Sequence, residues 1–239
     1  MTARENNKIE VCDKKDTNYP KRLREIQKSP GRLFYRGDIT ILNEMTSIAI
    51  IGSREASEQG LKMAFLYSKI AAEEGFVVTN GLALGCDTMA LEGALSVGGK
   101  CVAVMPCGLD SVYPKSNEAL VEKILLNGGC LISEYPPGTQ PQKQYFVERD
   151  RLQSGISVGV VVIETKETGG TMHTVKYAEK QGRRVACYYS ELLQNAEGNQ
   201  LIVDTGRGEP IDTGDHAREY YIRIKKDSET KYEQMTLSL

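Results

Sequence analysis

The stretch Ser47-Ile48-Ala49-Ile50-Ile51-Gly52-Ser53-Arg54 is answered far downstream by Val160-Val161-Val162-Ile163-Glu164 and then Gly169-Gly170-Thr171. Each is a β-branched apolar run that stops at small or hydroxylated residues. Short runs of this kind read as parallel strands buried on both faces. The residues that follow then lie at the carboxyl edge of a sheet. There glycine lets the backbone approach a ligand, and a following helix presents free amides and the positive end of its dipole. Arg54 adds a fixed charge whose planar fork suits phosphate. Two such loops in one sheet predict an anion site for phosphates. The competing reading at each is a plain structural turn.

Outward from these runs the chain alternates. Strands are predicted at 47–51, 76–79, 100–105, 130–133, 158–163 and 184–188, and helices at 58–74, 87–97, 117–126, 146–154 and 172–181. Gly75, Gly98-Gly99 and Gly182 close three of the helices. This order predicts an α/β chain with an extended Rossmann-like three-layer fold and a mostly parallel sheet. Residues 1–45 read as an N-terminal arm with a short helix around Leu23 and Ile26, its first 16 residues a loose lead. Residues 46–206 form the Rossmann-like domain, and 207–239 a C-terminal extension and tail in which 220–224 reads as one more strand. The Pro-, Gly- and Gln-rich stretch 135–144 reads as a long functional loop.

A chain of 239 residues suffices for one large domain with a full core. A formal net charge of −2 argues against a uniformly basic nucleic-acid coat but leaves room for a local basic patch. Two stretches qualify: Lys21, Arg22, Arg24, Lys28, Arg32 and Arg36, and the scattered Lys143, Arg149, Arg151, Lys176, Lys180, Arg183 and Arg184. Six cysteines (Cys12, Cys86, Cys101, Cys107, Cys130 and Cys187) lack the spacing of a zinc site and read as reduced structural thiols, with Cys86 and Cys107, in predicted loops, the candidates for reactivity. No metal is expected. No apolar run approaches the ~20 residues of a membrane span. The first residues carry both charge signs and do not read as a secretory leader, so the expectation is a cytoplasmic protein.

The dinucleotide fingerprint GxGxxG is absent after the first strand, so no nicotinamide or flavin cofactor is expected. Asp87, after Asn80-Gly81-Leu82-Ala83-Leu84-Gly85-Cys86, reads as a helix N-cap, a ligand contact or a catalytic carboxylate. His173 has no nucleophile grouped with it and reads as a lining residue, so no catalytic triad is expected. Arg149 and Arg151, two apart on a helix, point in different directions: one reaches a ligand while the other makes a salt bridge, with Glu148 and Asp150 at hand as partners.

Eight segments, in this order, resemble the DprA/Smf (DNA-processing protein A) family. They are Tyr19-Pro20 with Leu23; Pro30 with Leu33-Phe34-Tyr35-Arg36-Gly37; Ile50-Ile51-Gly52-Ser53-Arg54; and Gly81-Leu82-Ala83-Leu84-Gly85-Cys86-Asp87. Then come Gly108-Leu109-Asp110 with Tyr113-Pro114 and Asn117; Ile132-Ser133-Glu134-Tyr135; Phe146 with Arg149-Asp150-Arg151 and Ser154-Gly155-Ile156-Ser157; and Glu164 with Gly169-Gly170-Thr171, Thr174, Ala178 and Gly182-Arg183. The resemblance implies a homodimeric, non-enzymatic single-stranded-DNA chaperone that helps load a RecA-type recombinase during DNA uptake. It implies Gly52, Ser53, Arg54, Arg149, Arg151, Gly170, Thr171 and Lys176 as the phosphate-contacting set. Four departures mark a divergent member. Leu91 stands where the family has His, Asp150 where it has Asn, and Gly169-Gly170-Thr171 where it has Ser-Gly-Ser. The winged helix often appended at the C-terminus in the family is expected to be missing. Within a family acting in DNA uptake, recombination or defence, these departures favour a divergent branch serving phage defence or mobile elements over canonical transformation.

The C-terminal Gln234-Met235-Thr236-Leu237-Ser238-Leu239 resembles the peptide by which bacterial proteins dock on the sliding clamp, without its terminal aromatic residue. The alternative to DNA binding is a small-nucleotide sensor or nucleotide hydrolase using the same pocket. Cytokinin-activating phosphoribohydrolases share a Gly-Gly-x-Gly-Thr loop followed closely by Glu. Here the first acid after the loop is Glu179, and Lys176 suits phosphate holding better than glycosidic cleavage.

Overall fold

The computed structural model describes residues 8–194 and 196–237, with side chains to residue 230. In chain order the elements are β1 (Glu10–Asp13), α1 (Lys21–Arg24), β2 (Arg32–Gly37), α2 (Ile41–Glu44), β3 (Ser47–Ile51), α3 (Glu58–Glu73), β4 (Val77–Asn80), α4 (Cys86–Leu95) and β5 (Cys101–Val104). They continue with α5 (Glu118–Leu126), β6 (Cys130–Ser133), α6 (Lys143–Ile156), β7 (Gly159–Val162), α7 (Thr171–Lys180), β8 (Arg184–Tyr188), α8 (Glu197–Asp204), β9 (Glu209–Ile211) and α9 (Gly214–Leu237).

All nine strands join one sheet in the order β1-β2-β6-β5-β4-β3-β7-β8-β9. Pairing is parallel from β6 through β9, and antiparallel only where β2 meets β6 and β1 meets β2. The expected Rossmann-like, mostly parallel sheet is therefore present. The segments read as an arm and as an extension both contribute to it, through β1, β2 and β9.

Alternation along each buried strand sends successive side chains to opposite faces. Ile48 and Ile50 of β3 face a core with Val78, Leu91, Val121 and Tyr221, beneath α3, α4, α5 and α9. Ala49 and Ile51 face the other side, with Val160, Val162, Val175 and Ile202 under α7 and α8. Farther along that face Val77, Val102, Val104 and Ile132 pack against Leu23, Leu152 and Ile156. These are the three layers.

From β3 to β6 the chain winds one way across the sheet, and from β7 to β9 it winds the other way. The reversal falls between β3 and β7, which pair at Ala49↔Val160, Ile50↔Val161 and Ile51↔Val162. In open parallel sheets the crevice at such a switch point, beyond the carboxyl ends of the strands, is where ligands bind. The two stretches that predict the anion site end there.

The structure corrects three local expectations. The lead includes an edge strand, because Cys12 is buried and Glu10–Asp13 pairs with β2. Residues 220–224 are helical: Ala217, Tyr220, Tyr221 and Ile224 are buried at the i, i+3, i+4, i+7 spacing of one helix face, and Tyr221 packs 5.6 Å from Phe76. Cys86 opens α4 and is not in a loop, and although Cys107 does lie in a loop both are buried; burial raises both thiols, against the expected reactivity. Leu91, which stands where the family has His, packs in the core, so the departure leaves an apolar helix face. Of the clamp-like hexapeptide, Gln234 to Leu237 belongs to the helical backbone of α9, whereas its side chains and the last two residues lie outside those described. Among the described residues no helix is long and apolar enough to cross a membrane.

Candidate functional site

A cavity of about 670 Å³ opens at the switch point. One wall is the loop after β3 (Gly52, Ser53, Arg54 and Glu55), and the opposite wall is the loop after β7 with the start of α7 (Thr165, Lys166, Gly169, Gly170, Thr171, His173 and Thr174). The α6 residues Lys143, Phe146, Val147, Arg149, Asp150 and Gln153, together with Asp87 and Tyr113, complete it.

One residue fixes the first wall. The Glu164 main-chain carbonyl accepts from Ser53 N at 2.7 Å, and its carboxylate accepts from Ser57 N at 3.1 Å and from Ser57 Oγ at 2.6 Å. Residues 53–57, which carry Arg54, are thus tied at both ends to the end of β7. Ser57 in turn caps α3 by accepting from Gly60 N at 3.1 Å. Gly52 is demanded by packing, since a Cβ there would lie 2.6 Å from Cys86 Sγ. Ser53 Oγ accepts from Glu55 N at 3.0 Å, a local turn bond.

The opposite wall is held by Asn199, whose Nδ2 donates to Ile163 O at 2.9 Å and Tyr188 O at 2.7 Å, and whose Oδ1 accepts from Thr165 N at 2.8 Å. α7 begins at Thr171, with Met172 N and His173 N turned back onto Gly169 O and Gly170 O. No backbone bond among the described residues takes up the amides of Gly170 and Thr171, which remain for an anion at the positive end of the helix. Space around the Gly170 Cα is open, with nothing within 4 Å of a Cβ built there.

At the back of the cavity Arg149 is 5% exposed. Its Nη1 donates to Val104 O at 2.8 Å, and a Cβ on Gly81 would lie 1.6 Å from that same nitrogen. Glycine at 81 is therefore what lets the guanidinium cross from α6 to the ends of β4 and β5. Its Nε lies 3.2 Å from Asp150 Oδ1, close enough for an ion pair but without hydrogen-bond geometry. Asp87 is no N-cap, since Gly85 occupies that position of α4. From the first turn the Asp87 carboxylate reaches back to accept from Gly81 N at 2.9 Å and Ala83 N at 3.3 Å. Burial pushes the Asp87 carboxyl up to about 6 and the Asp150 carboxyl up to about 7, with Arg149 the largest opposing influence on each.

Of the residues expected to hold phosphate, the cavity brings together Gly52, Ser53, Arg54, Arg149, Gly170 and Thr171. Arg151 points elsewhere, as two arginines two apart on a helix must. Its fork grips the Glu134 carboxylate at 2.5 and 2.7 Å, and Nε donates to Lys28 O at 3.1 Å. Lys176 is exposed on α7 and does not line the cavity. The basic stretch 21–36 is largely engaged within the fold: Arg24 donates to Asp16 O, Arg32 pairs with Asp13, and Arg36 reaches Leu109 O and lies 3.8 Å from Glu122. Three cations in the lining make no ion pair among the described residues, Arg54, Lys143 and Lys166. Arg54 sits 5.2 Å from the centre of the Phe146 ring, which packs edge-on against Tyr113 at 5.4 Å. Lys166 and Gln153 were not singled out from the sequence, and neither Lys143 nor Phe146 was assigned to the site. For Lys143, Phe146 and Gln153 the signal was helical spacing, because 143, 146, 150 and 153 follow one face of α6, whereas Lys166 lies in the loop after β7.

A doubly wound α/β protein with open amides, cations and an aromatic ring around a switch-point cavity has the groups that suit a phosphorylated ligand. The family model described as DNA recombination-mediator protein A matches residues 10–220, and the chain belongs to that family. It is 38% identical over 192 residues to the DNA processing protein DprA of Streptococcus pneumoniae, covering 80% of this chain and 67% of that protein. It is 35% identical over 183 residues to DprA of Bacillus subtilis, covering 77% of this chain and 61% of that one. A solved structure of DNA processing protein A from Helicobacter pylori, described for its single-stranded DNA binding mode, superposes with a TM-score of 0.81 at 25% identity. That match covers 93% of this chain and 99% of that chain.

Proposed function

We propose that the chain binds single-stranded DNA in the switch-point cavity and acts in DNA processing and recombination without making or breaking covalent bonds. The observation that carries this reading is the set of three cations without ion-pair partners among the described residues, Arg54, Lys143 and Lys166, lining one cavity together with the open Gly170 and Thr171 amides. Phosphates bind at the rim by charge-assisted contacts to these groups, and Phe146 with Tyr113 offers a stacking surface for a base. Single-stranded DNA is also what the H. pylori relative is described as binding. In this reading Arg149 sets the shape and charge of the cavity back, while Arg151 braces α6 against Glu134.

The same reading takes in a second copy of the chain and a RecA-type recombinase as partners, and the sliding clamp through the C-terminal hexapeptide. Co-elution with each tests them, and clamp binding unchanged after deletion of residues 233–239 removes the last. Fluorescence anisotropy of a labelled single-stranded oligonucleotide tests the central reading: binding that weakens steeply with salt is expected. Nucleotides left intact after prolonged incubation are expected of a protein that binds without hydrolysis.

A further inference from the structure

Two buried polar atoms on the floor of the cavity have no hydrogen-bond partner among the described residues. Gln153 is 2% exposed and lines the cavity, yet its Oε1 accepts no hydrogen bond, while its Nε2 donates to Asp150 Oδ1 at 3.0 Å. Asp150 uses Oδ1 for that bond and for its approach to Arg149, and its Oδ2 has no partner among the described residues. Arg149 Nε is a buried donor without a hydrogen bond. Buried polar groups are nearly always paired, so a buried donor and a buried acceptor without partners, beside a carboxylate oxygen that accepts nothing from the described residues, ask for a ligand that completes them. A phosphate, which offers only acceptors, does not.

We infer that the floor of the cavity reads a guanine base, with Arg149 Nε toward O6, Asp150 Oδ2 toward N1–H and Gln153 Oε1 toward the 2-amino group. This deepens the single-stranded-DNA reading and rests on it. Guanine alone among the four bases places two adjacent N–H donors beside a carbonyl. Thymine sets one N–H between two carbonyls. Adenine and cytosine present an unprotonated ring nitrogen where Asp150 already offers lone pairs. A base entering past Phe146 and Tyr113 leaves its phosphate at the rim, near the Gly170 and Thr171 amides. A site that holds polar groups open for donors discriminates against a base that lacks them, because those groups then stay buried and unpaired.

The test is fluorescence anisotropy at low salt with labelled single-stranded oligonucleotides of equal length: all-thymidine, the same with one central dG, and the same with inosine at that place. For the wild type, the dG strand is expected to bind on the order of tenfold more tightly than the all-thymidine strand, with inosine between them. In Asp150→Asn and in Gln153→Leu, each first shown by thermal melting to be folded, that ratio falls toward one. Equal affinity of the wild type for the dG and all-thymidine strands overturns the guanine reading while leaving the DNA-binding reading standing. A dG preference unaltered in both variants also overturns it. Failure of every strand to bind removes both readings together.

Discussion

Asp150 and Asp87 share one guanidinium at the back of the cavity, and both hold their protons to higher pH than an exposed carboxyl, chiefly through burial. A folded-state pKa of about 7 or about 6, against 3.8 for the ordinary carboxyl, means the folded chain binds more protons than the unfolded one across that interval. Stability from these groups is therefore complete below about pH 4 and is lost as pH rises through 6 to 7. Asp150→Asn removes one of them. Relative to the wild type it should gain on the order of 1–3 kcal/mol between pH 5 and pH 8, read as a difference in denaturant unfolding at the two pH values. The groups facing Asp150 are Arg149 and Gln153 on its own helix, Asp87 from α4 and Arg54 from the loop after β3, with Lys166 and His173 across the same cavity. At Arg54 the prediction concerns binding. Removing a charge-assisted phosphate contact, Arg54→Ala should cost roughly 1–3 kcal/mol of single-strand affinity, measured by anisotropy, with the melting temperature nearly unchanged because the side chain is exposed and makes no ion pair.

Two glycines give opposite expectations at the scale of the elements. Gly81→Ala drives a methyl group into the Arg149 guanidinium that ties α6 to the ends of β4 and β5, and should destabilise the fold by about 1–3 kcal/mol in denaturant unfolding. Gly170→Ala meets nothing within 4 Å and keeps an ordinary helical φ of −57°, so stability should stay within roughly 0.5 kcal/mol. In α9, Tyr221 is fully buried against Phe76, and Tyr221→Ala should cost about 3–5 kcal/mol, enough to show that this helix belongs to the core. The parallel strands were legible because burial on both faces leaves unbroken apolar runs such as Ser47–Ile51, buried throughout. β1 was not, since Glu10–Asp13 buries only Cys12 and so carries no run. α9 was misread because its buried residues bunch at 220–224, where a short apolar cluster looks like a strand until Ala217 is added to the spacing. In the site, both loops were legible from glycine and hydroxyl residues after strands. The α6 contribution was only partly so, because Lys143, Phe146 and Gln153 acquire meaning once the helix face is known.

Across the whole molecule a net charge of −2 conceals a local arrangement. Many of the basic side chains outside the cavity are paired within the fold, as Arg151 with Glu134, Arg183 with Glu25, Arg184 with Asp227 and Arg207 with Glu179. Three cations without ion pairs among the described residues, Arg54, Lys143 and Lys166, lie at the point where the sheet reverses its winding, where strand ends, loop amides and α6 converge. Fold and function are thus linked by topology, because the reversal between β3 and β7 creates the crevice and the loops after those two strands line it. The measurement that tests this most directly is the salt dependence of single-strand affinity, by fluorescence anisotropy, for the wild type and Arg54→Ala. The account predicts tight binding at low salt, a linear fall of log affinity with log salt, and a shallower slope with weaker binding in the variant. Absence of binding at low salt, or an identical slope and affinity in Arg54→Ala, would contradict it.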